Sequence, residues 1–549
     1  MRELHPAIPF LVGAVLVAVL PARPRRVAAL LTPAIGIALA CALRDGARTG
    51  VPLLGTAIVV LDVDALGRVF AIVFALLGGL GAVYGLHAAG RRLYAAAFVA
   101  TAAALGVVLA GDWVTFYAAW ELLAIASFVL VIDGGHARAS RSALRYLLVH
   151  ATGGAVLLGG ITWHVAAGGA LAIRDPLAGV PALAILVAFA INAALPPLHA
   201  WLTDAYPESS PAGTVFLSAF ATKAAVYALA RVFPGTEALV WWGAAMALYG
   251  VVFAVLENDI RRLLGYHIVS QVGYMVAGVG LGTPLALSGV AAHAFCHVLY
   301  KGLLMMGAGA VVHATGRRRL TELGGLARAM PATLALYMVG AFSISGAPLL
   351  NGFVSKSLVV AAAESEHRVV VSTLLTLASV GTFLHTGLKL PYFTFASAPS
   401  APPERPVPRS MIVAMALAAA ACLVLGVAPD ALYALLPFPV TYEPYTAAHV
   451  IASLQLLAGT ALGFAWFRAA LGGERTVTLD ADRLYAAIGR ALTALARAIG
   501  RASDGLEDLA TRSVDLSMPA RRAIPRPLGY AVMVVLGAVG VVSVMFAFR

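Results

Sequence analysis

Apolar runs of roughly 20 residues, each the helical length of a bilayer's hydrocarbon core, recur about sixteen times along this chain. They lie near residues 5–20, 27–43, 64–88, 93–110, 112–132, 141–167, 180–205, 211–232, 238–256, 263–282, 285–313, 331–363, 369–393, 409–428, 446–469 and 528–548. Inside lipid every backbone N–H and C=O must be satisfied within the protein, which leaves helices or a closed barrel. Runs this long and this apolar are helices, so the expected fold is an all-α polytopic membrane protein. Charged residues make up only 12% of the chain, about half the share of a soluble protein. The net charge of +12 does not indicate nucleic acid, because the arginines sit in short loops between apolar runs and act on orientation. Arg23, Arg25, Arg26, Arg91, Arg92, Arg138, Arg141, Arg145, Arg261, Arg262 and Arg317 to Arg319 fall in alternate loops. That side is expected to be cytoplasmic and the N-terminus outside, in a multi-pass protein of the cell inner (cytoplasmic) membrane. The first run lacks a signal-peptide charge pattern and reads as a retained span.

Against this background the ionisable residues inside the runs carry the information, since a charge facing lipid at the bilayer centre costs roughly 2.5–3.5 kcal/mol on insertion scales. The chain has four lysines, Lys223, Lys301, Lys356 and Lys389, and all four lie within apolar runs while every basic loop residue is arginine. An arginine codon bias accounts for the loops. It does not account for lysine being kept where only a tunable amine can exchange a proton. In HAFCHVLYK, His293, His297 and Lys301 are spaced i, i+4, i+8, which places them on one helical stripe. That stripe must face protein or water. Glu121 lies in the fifth run, where a lone buried carboxylate either pairs or is protonated; the alternative is that Trp120 beside it anchors at the interface. Lys389 is close enough to the cytoplasmic end of its run to snorkel, with His385 one turn earlier. Ser270 and Gln271 are neutral polar positions that serve either a water wire or helix packing.

Two runs are interrupted. The seventh contains Pro196 and Pro197, and the twelfth contains Gly346, Pro348 and Gly352; each set breaks the helical hydrogen-bond ladder. Interrupted helices at corresponding places in two halves point to internal repeats with an ion pathway at the breaks. The expected organisation is 1–90 N-terminal spans, 91–235 and 236–395 two five-helix units, 396–470 peripheral spans, 471–527 an amphipathic cytoplasmic-side helix and 528–549 a final span. Cys41, Cys296 and Cys422 all lie in apolar runs, odd in number and without CxxC spacing. They form neither a disulfide framework nor a metal site. No cofactor motif is present, so no cofactor, metal or catalytic site of the chain's own is expected.

Several ordered motifs, WE at Trp120–Glu121, PLHAWLTDAYPESSPAG from Pro197, ENDIRRLLGYHIVSQVGYM from Glu257, HAFCHVLYKGLL and GAPLLNGFVSK, resemble the antiporter-like subunits shared by respiratory complex I, membrane-bound hydrogenases and Mrp-type cation/proton antiporters. The resemblance covers about residues 60–395 and is to the Mrp D-type subunit in particular. The tail from 480 is similar, in layout alone, to the lateral helix of the longest complex I antiporter-like subunit. This resemblance implies a core of fourteen helices, two inverted five-helix repeats and a polar axis in the membrane plane. It implies a proton relay through Glu121, Lys223, His293, His297, Lys301 and Lys356, with Lys389 a weaker member. It also exposes a departure: where the family carries a lysine before the seventh-helix break, this chain has Asn192, and an amide neither takes nor gives a proton. The expected function is translocation of protons, or of a cation such as sodium against protons, by a subunit partnered with other membrane subunits of an antiporter or respiratory-type complex. The alternatives are a non-conducting scaffold that docks a hydrogenase, dehydrogenase or bicarbonate-uptake partner, and, with less support, a stand-alone transporter of a small solute.

Overall fold

Fifteen of the sixteen apolar runs become helices or two-part helices in the computed structural model, which describes residues 3–472 except 54, 89, 174–176 and 399–401, and beyond them only Ala487 and Arg490. The expected final span at 528–548 lies outside the described residues, as does nearly all of the expected amphipathic helix over 482–512. The described residues up to 472 belong to one compact unit, Met1–Thr478.

The chain opens with α1 (Ala7–Val19) and α2 (Ala22–Ala42). An antiparallel hairpin that the sequence did not announce follows, β1 (Arg48–Leu53) with β2 (Thr56–Asp62). Then come α3 (Ala65–Gly85), α4 (Arg91–Leu109), α5 (Trp113–Ile132), α6 (Ala137–Ala166), the split pair α7 (Gly179–Asn192) and α8 (Ala200–Ala205), and a second split pair α9 (Pro211–Leu217) and α10 (Phe220–Val232). The second half has α11 (Glu237–Leu256), α12 (Ile260–Leu281), α13 (Pro284–Thr315), the split pair α14 (Pro331–Ile344) and α15 (Asn351–Ser365), and α16 (Val369–Thr382), which continues as π-helix over Phe383–Lys389 and Tyr392–Ala396. α17 (Arg409–Val427), α18 (Pro429–Tyr433) and α19 (Ala447–Phe467) complete the described part. Among the described residues eleven helical stretches are long and apolar enough to cross a membrane, and α1, α7 and α14 are shorter apolar helices. The polar middle of α12 keeps it outside that count, yet nearly all of its residues are buried: it spans by being wrapped in protein.

Local chemistry sets the ends of these helices. Asp112, Ser210, Asp259 and Thr283 accept backbone N–H bonds at the starts of α5, α9, α12 and α13, the ordinary role of short oxygen side chains at an N-cap. Gly282 and Gly316 end α12 and α13 in the left-handed conformation that glycine adopts without cost. The 32 residues of α13 span about 48 Å at 1.5 Å per residue, and the helix packs against α3, α9, α12, α14, α15 and α17.

The breaks at α7/α8 and α14/α15 follow one hydrogen-bond pattern. In the first, Ala193 N–H donates to Phe189 O (2.8 Å), Ala194 to Ile191 O (3.1 Å) and Leu195 to Ala190 O (3.0 Å). In the second, Ser345 donates to Ala341 O (3.3 Å), Gly346 to Ser343 O (3.0 Å) and Ala347 to Phe342 O (3.0 Å). Ala194 (φ 58°) and Gly346 (φ 77°) hold the left-handed position of a Schellman-type end. The freed backbone is met by side chains. Trp201 donates to Ile191 O (2.9 Å) and Trp242 to Pro196 O (2.8 Å) at the first break. At the second, Ser453 donates to Gly346 O (2.8 Å), and the Tyr445 hydroxyl accepts from Leu349 N–H (3.2 Å).

Close packing of α11 on α12 places the polar face of α12. A Cβ on Gly243 would lie 2.2 Å from Ala277 N, on Gly250 2.4 Å from Ser270 N, on Gly273 2.5 Å from Ala247 N and on Gly280 2.3 Å from Val240 N. Two glycines per helix, seven residues apart, let the backbones touch, as small residues do between membrane helices. Replacing Gly273 by valine is expected to separate the pair and lower stability by about 3 kcal/mol, the upper end of ordinary overpacking. Thermal unfolding in detergent, followed by loss of monodisperse protein, measures this; an unchanged midpoint would mean the pair has slack.

Candidate functional site

An apolar interior tolerates an ammonium only if something accepts its three hydrogens. All four lysines are buried, and among the described residues none of them forms an ion pair. Lys223 folds back along α10 and donates to Ser218 O (2.8 Å) and Thr222 Oγ1 (3.1 Å). Ser218 sits where α9 and α10 separate, a third helix interruption that no proline or glycine marks in the sequence. Lys356 lies on α15 beyond the second break. It donates to Ile344 O (3.3 Å), the end of α14, and to Ser379 Oγ on α16 (2.9 Å), and it sits 5.0 Å from the centre of the Tyr274 ring. Lys389 donates to Glu257 O (3.0 Å) and to Val255 O, so it caps the C-terminal end of α11. It is 1% exposed and does not snorkel as its position in the run suggested; the π-helical turns of Phe383–Lys389 rotate it and His385 inward.

The stripe His293, His297 and Lys301 is fully buried on α13. Neither ring nitrogen of His293 or of His297 has a hydrogen-bond partner among the described residues. Their rings are 6.2 Å apart, with Tyr274 5.8 Å from His293 and Tyr300 5.4 Å from His297. Lys301 Nζ lies 3.4 Å from His267 Nδ1 on α12, a residue whose role the sequence reading missed. His267 Nε2 is in turn 3.3 Å from Thr382 Oγ1, which also accepts from Gln271 Nε2 (3.4 Å) and donates its own hydrogen to Ala378 O (2.9 Å). Because that hydroxyl hydrogen is committed to a carbonyl, Nε2 of His267 carries the ring N–H and the neutral ring offers Nδ1 as a lone pair to Lys301. Transfer of one proton across this contact turns ammonium and imidazole into amine and imidazolium. The His385 ring is 4.8 Å from that of His267. Ser379 and Thr382 are i, i+3 on α16 and share a face, so the hydroxyl beside His267 and the hydroxyl beside Lys356 are neighbours.

On the first half the arrangement differs. Glu121 is half-buried, and its Oε1 occupies the space a side chain on Gly154 would need, 1.9 Å from that glycine's hypothetical Cβ. The adjacent Gly153 would put its Cβ 3.7 Å from Asn192 Oδ1. Glu121 and Asn192 therefore lie over adjacent glycines of α6, and neither Glu121 Oε1 nor Asn192 Oδ1 has a hydrogen-bond partner among the described residues. Trp120 is buried, stacked on Phe116 (5.3 Å) and beside Phe189 (5.3 Å); it is a packing residue that stiffens the Glu121 turn and not an interfacial anchor.

Two features flank this line. Near Lys356 a cavity of about 860 Å³ opens beside α15, α16 and α19, lined among others by Ser345, Ser357, Ser379, Glu364, Glu443 and His449. On the arginine-rich side the motif around Pro207–Ser210 meets the one around Asp259–Arg262: Arg261 donates to Ser209 O (2.8 Å), Ser210 O (3.2 Å) and Thr214 Oγ1. Glu208 is buried between Arg138 (3.1 Å) and Arg318 (2.8 Å), and Arg318 also holds Asp259 (2.6 Å). These arginines are spent on internal pairing, in keeping with a structural and topological role for the positive charge. No group of three or more metal-ligating side chains is found among the described residues.

Comparison with known proteins agrees with this architecture. Residues 110–384 match the family described as NADH:quinone oxidoreductase/Mrp antiporter, TM. NADH-quinone oxidoreductase subunit N of Desulforudis audaxviator is 33% identical over 383 residues, 63% of this chain and 75% of that protein. The D-type component of the Na(+)/H(+) antiporter of Alkalihalophilus pseudofirmus is 31% identical over 299 residues, 51% of this chain and 61% of that one. Among solved structures, a chain of the Mrp complex from a Dietzia species superposes with TM-score 0.74 at 25% identity, covering 86% of this chain and 99% of its own. A chain of respiratory complex I from Thermus thermophilus superposes with TM-score 0.68 at 26% identity, covering 80% and 100%. By the family match over residues 110–384 and these relatives, this chain belongs to the NADH:quinone oxidoreductase/Mrp antiporter transmembrane family.

Proposed function

We propose that the chain is a proton-translocating, or cation/proton-translocating, subunit of a multisubunit membrane complex, with other membrane subunits as its partners. The observation that carries this reading is the buried contact of Lys301 with His267, whose other ring nitrogen meets Thr382, set between Lys223 and Lys356. The relay runs from Glu121 through Lys223 to His297, His293 and Lys301, then by His267, Thr382 and Ser379 to Lys356 and out through the cavity beside it. Water fills the gaps. Each lysine is held by carbonyls, hydroxyls or an imidazole, and an N–H can still donate to these when the amine is neutral. A carboxylate partner would pin the charge in place. Two unit charges about 7 Å apart at an effective dielectric near 20 interact by roughly 2 kcal/mol, so loading one site unloads its neighbour. The two five-helix units, 91–235 and 236–395, are the two half-paths, and the matching backbone pattern of their breaks supports that division. Coupling is either to a counter-transported cation such as sodium or to redox chemistry in a partner subunit.

A second reading, a scaffold that docks a catalytic partner without conducting, is favoured by one observation: the residue before the seventh-helix break is Asn192, an amide.

Lys223→Ala and Lys356→Ala separate the two. In membrane vesicles holding the assembled complex, each is expected to lower proton flux by about 100-fold or more, on the scale of a lost positioned proton-transfer group. Flux that survives both changes in an intact complex rules the relay out. Thr382→Val keeps the shape of the site, removes the acceptor for His267 and Gln271, and is expected to slow flux at unchanged assembly; an unaltered rate would take Thr382 off the path.

A further inference from the structure

We propose that His150 supplies the proton-carrying group that Asn192 does not, and relays protons between the arginine-rich face and Glu121. This rests on the relay reading above and deepens it.

His150, Gly153 and Gly154 are i, i+3 and i+4 on α6 and share one helical face. The two glycines hold Asn192 and the Glu121 carboxylate. His150 lies one turn, about 6 Å of rise, toward the face where Arg145 clamps Asp204 through two bonds of 2.7 Å and Ser142 donates to the same carboxylate (3.2 Å). The histidine is 1% exposed. Its ring stacks on Tyr146 (3.9 Å between centres) and meets the edge of Trp201 (4.5 Å), and Trp201 donates to Ile191 O, next to Asn192. Tyr146 faces Glu121 and Ser127 from α5 and Tyr206 beyond α8, and Trp201 of α8 lies against the His150 ring.

The tautomer follows from one bond. Nδ1 of His150 is 3.0 Å from Tyr146 O, and a carbonyl only accepts, so Nδ1 carries the hydrogen and the neutral ring leaves Nε2 as a lone pair. Nε2 has no hydrogen-bond partner among the described residues, and neither has Glu121 Oε1. A buried acceptor left unmet is costly, so Nε2 is free to take a proton or a water. Here a proton that arrives at Nε2 forms the imidazolium while Nδ1–H stays on Tyr146 O. The same Nε2 proton then passes through water to the Glu121 carboxylate, one turn along α6, regenerating the neutral ring and leaving a carboxylic acid. Nothing is oxidised or reduced.

The test uses the full chain in its native complex, in vesicles loaded with a pH-sensitive dye. His150→Gln keeps polarity and removes the titratable ring; His150→Phe keeps the stack on Tyr146. Both are expected to lose about 100-fold in proton flux with assembly unchanged, and Asn192→Lys added to His150→Gln is expected to recover it by placing an amine over the same glycine pair. Normal flux in either single variant, or a loss that Asn192→Lys does not repair, overturns the proposal and leaves His150 a packing residue. Lys223→Ala run in parallel keeps the two readings apart: if it abolishes flux while the His150 variants do not, only the role of His150 falls. If neither change matters, the relay itself falls.

Discussion

The constraint on which this molecule turns is the burial of ammonium groups that, among the described residues, form no ion pair. Four lysines sit in the interior, each met by carbonyls, hydroxyls or an imidazole. Taking a charge out of water costs several kcal/mol even after relaxation, and dipoles recover only part of that. The fold therefore has to bring oxygen atoms to places where a continuous helix would keep them engaged. It does so by interrupting helices. Ser218 O, Ile344 O and the last carbonyls of α11 are all backbone acceptors at helix ends, and each one holds a lysine.

The interruptions in turn have to be stabilised, because a broken helix at membrane depth exposes groups that lipid cannot satisfy. Both main breaks end in the same left-handed turn, and both are tied down by side chains, the first by Trp201 of its own second half and Trp242 of α11, the second by Tyr445 and Ser453. The segment from α17 to α19 therefore clamps the second break as well as lying against the bundle. Tyr445 also donates to Gly426 O (2.5 Å) and Tyr433 to Val354 O (2.8 Å), so the wall of the cavity beside Lys356 is fastened to the helix that carries Lys356.

Much of this was legible in the residues. Hydropathy located the spans because lipid leaves the backbone no alternative to the helix. The positions of Pro196, Pro197, Gly346 and Pro348 located two breaks, and the confinement of lysine to apolar runs located the ionisable line. What was not legible was anything that depends on a neighbour far away in sequence. His267 becomes part of the line only because α12 lies beside α13 and α16. The break at Ser218 carries no proline or glycine, so periodicity reads α9 and α10 as one span. Trp120 and Lys389 both look interfacial from their places near polar residues or a run's end. Packing of Phe116 and Phe189 buries the first, and two π-helical stretches turn the second inward.

What the amino-acid sequence determined by itself is the class of the molecule: a helical membrane protein with two interrupted spans and ionisable residues kept inside, since those follow from transfer energies that act on each segment separately. The tertiary structure alone decided which ionisable groups touch. Asn192 illustrates the division. Its identity, and the absence of an amine there, are plain in the sequence; that it lies over the glycine next to the one under Glu121, one turn from His150, is set by how three helices pack. Proton transfer depends on separations of a few ångströms, and helix faces acquire such separations only once they meet.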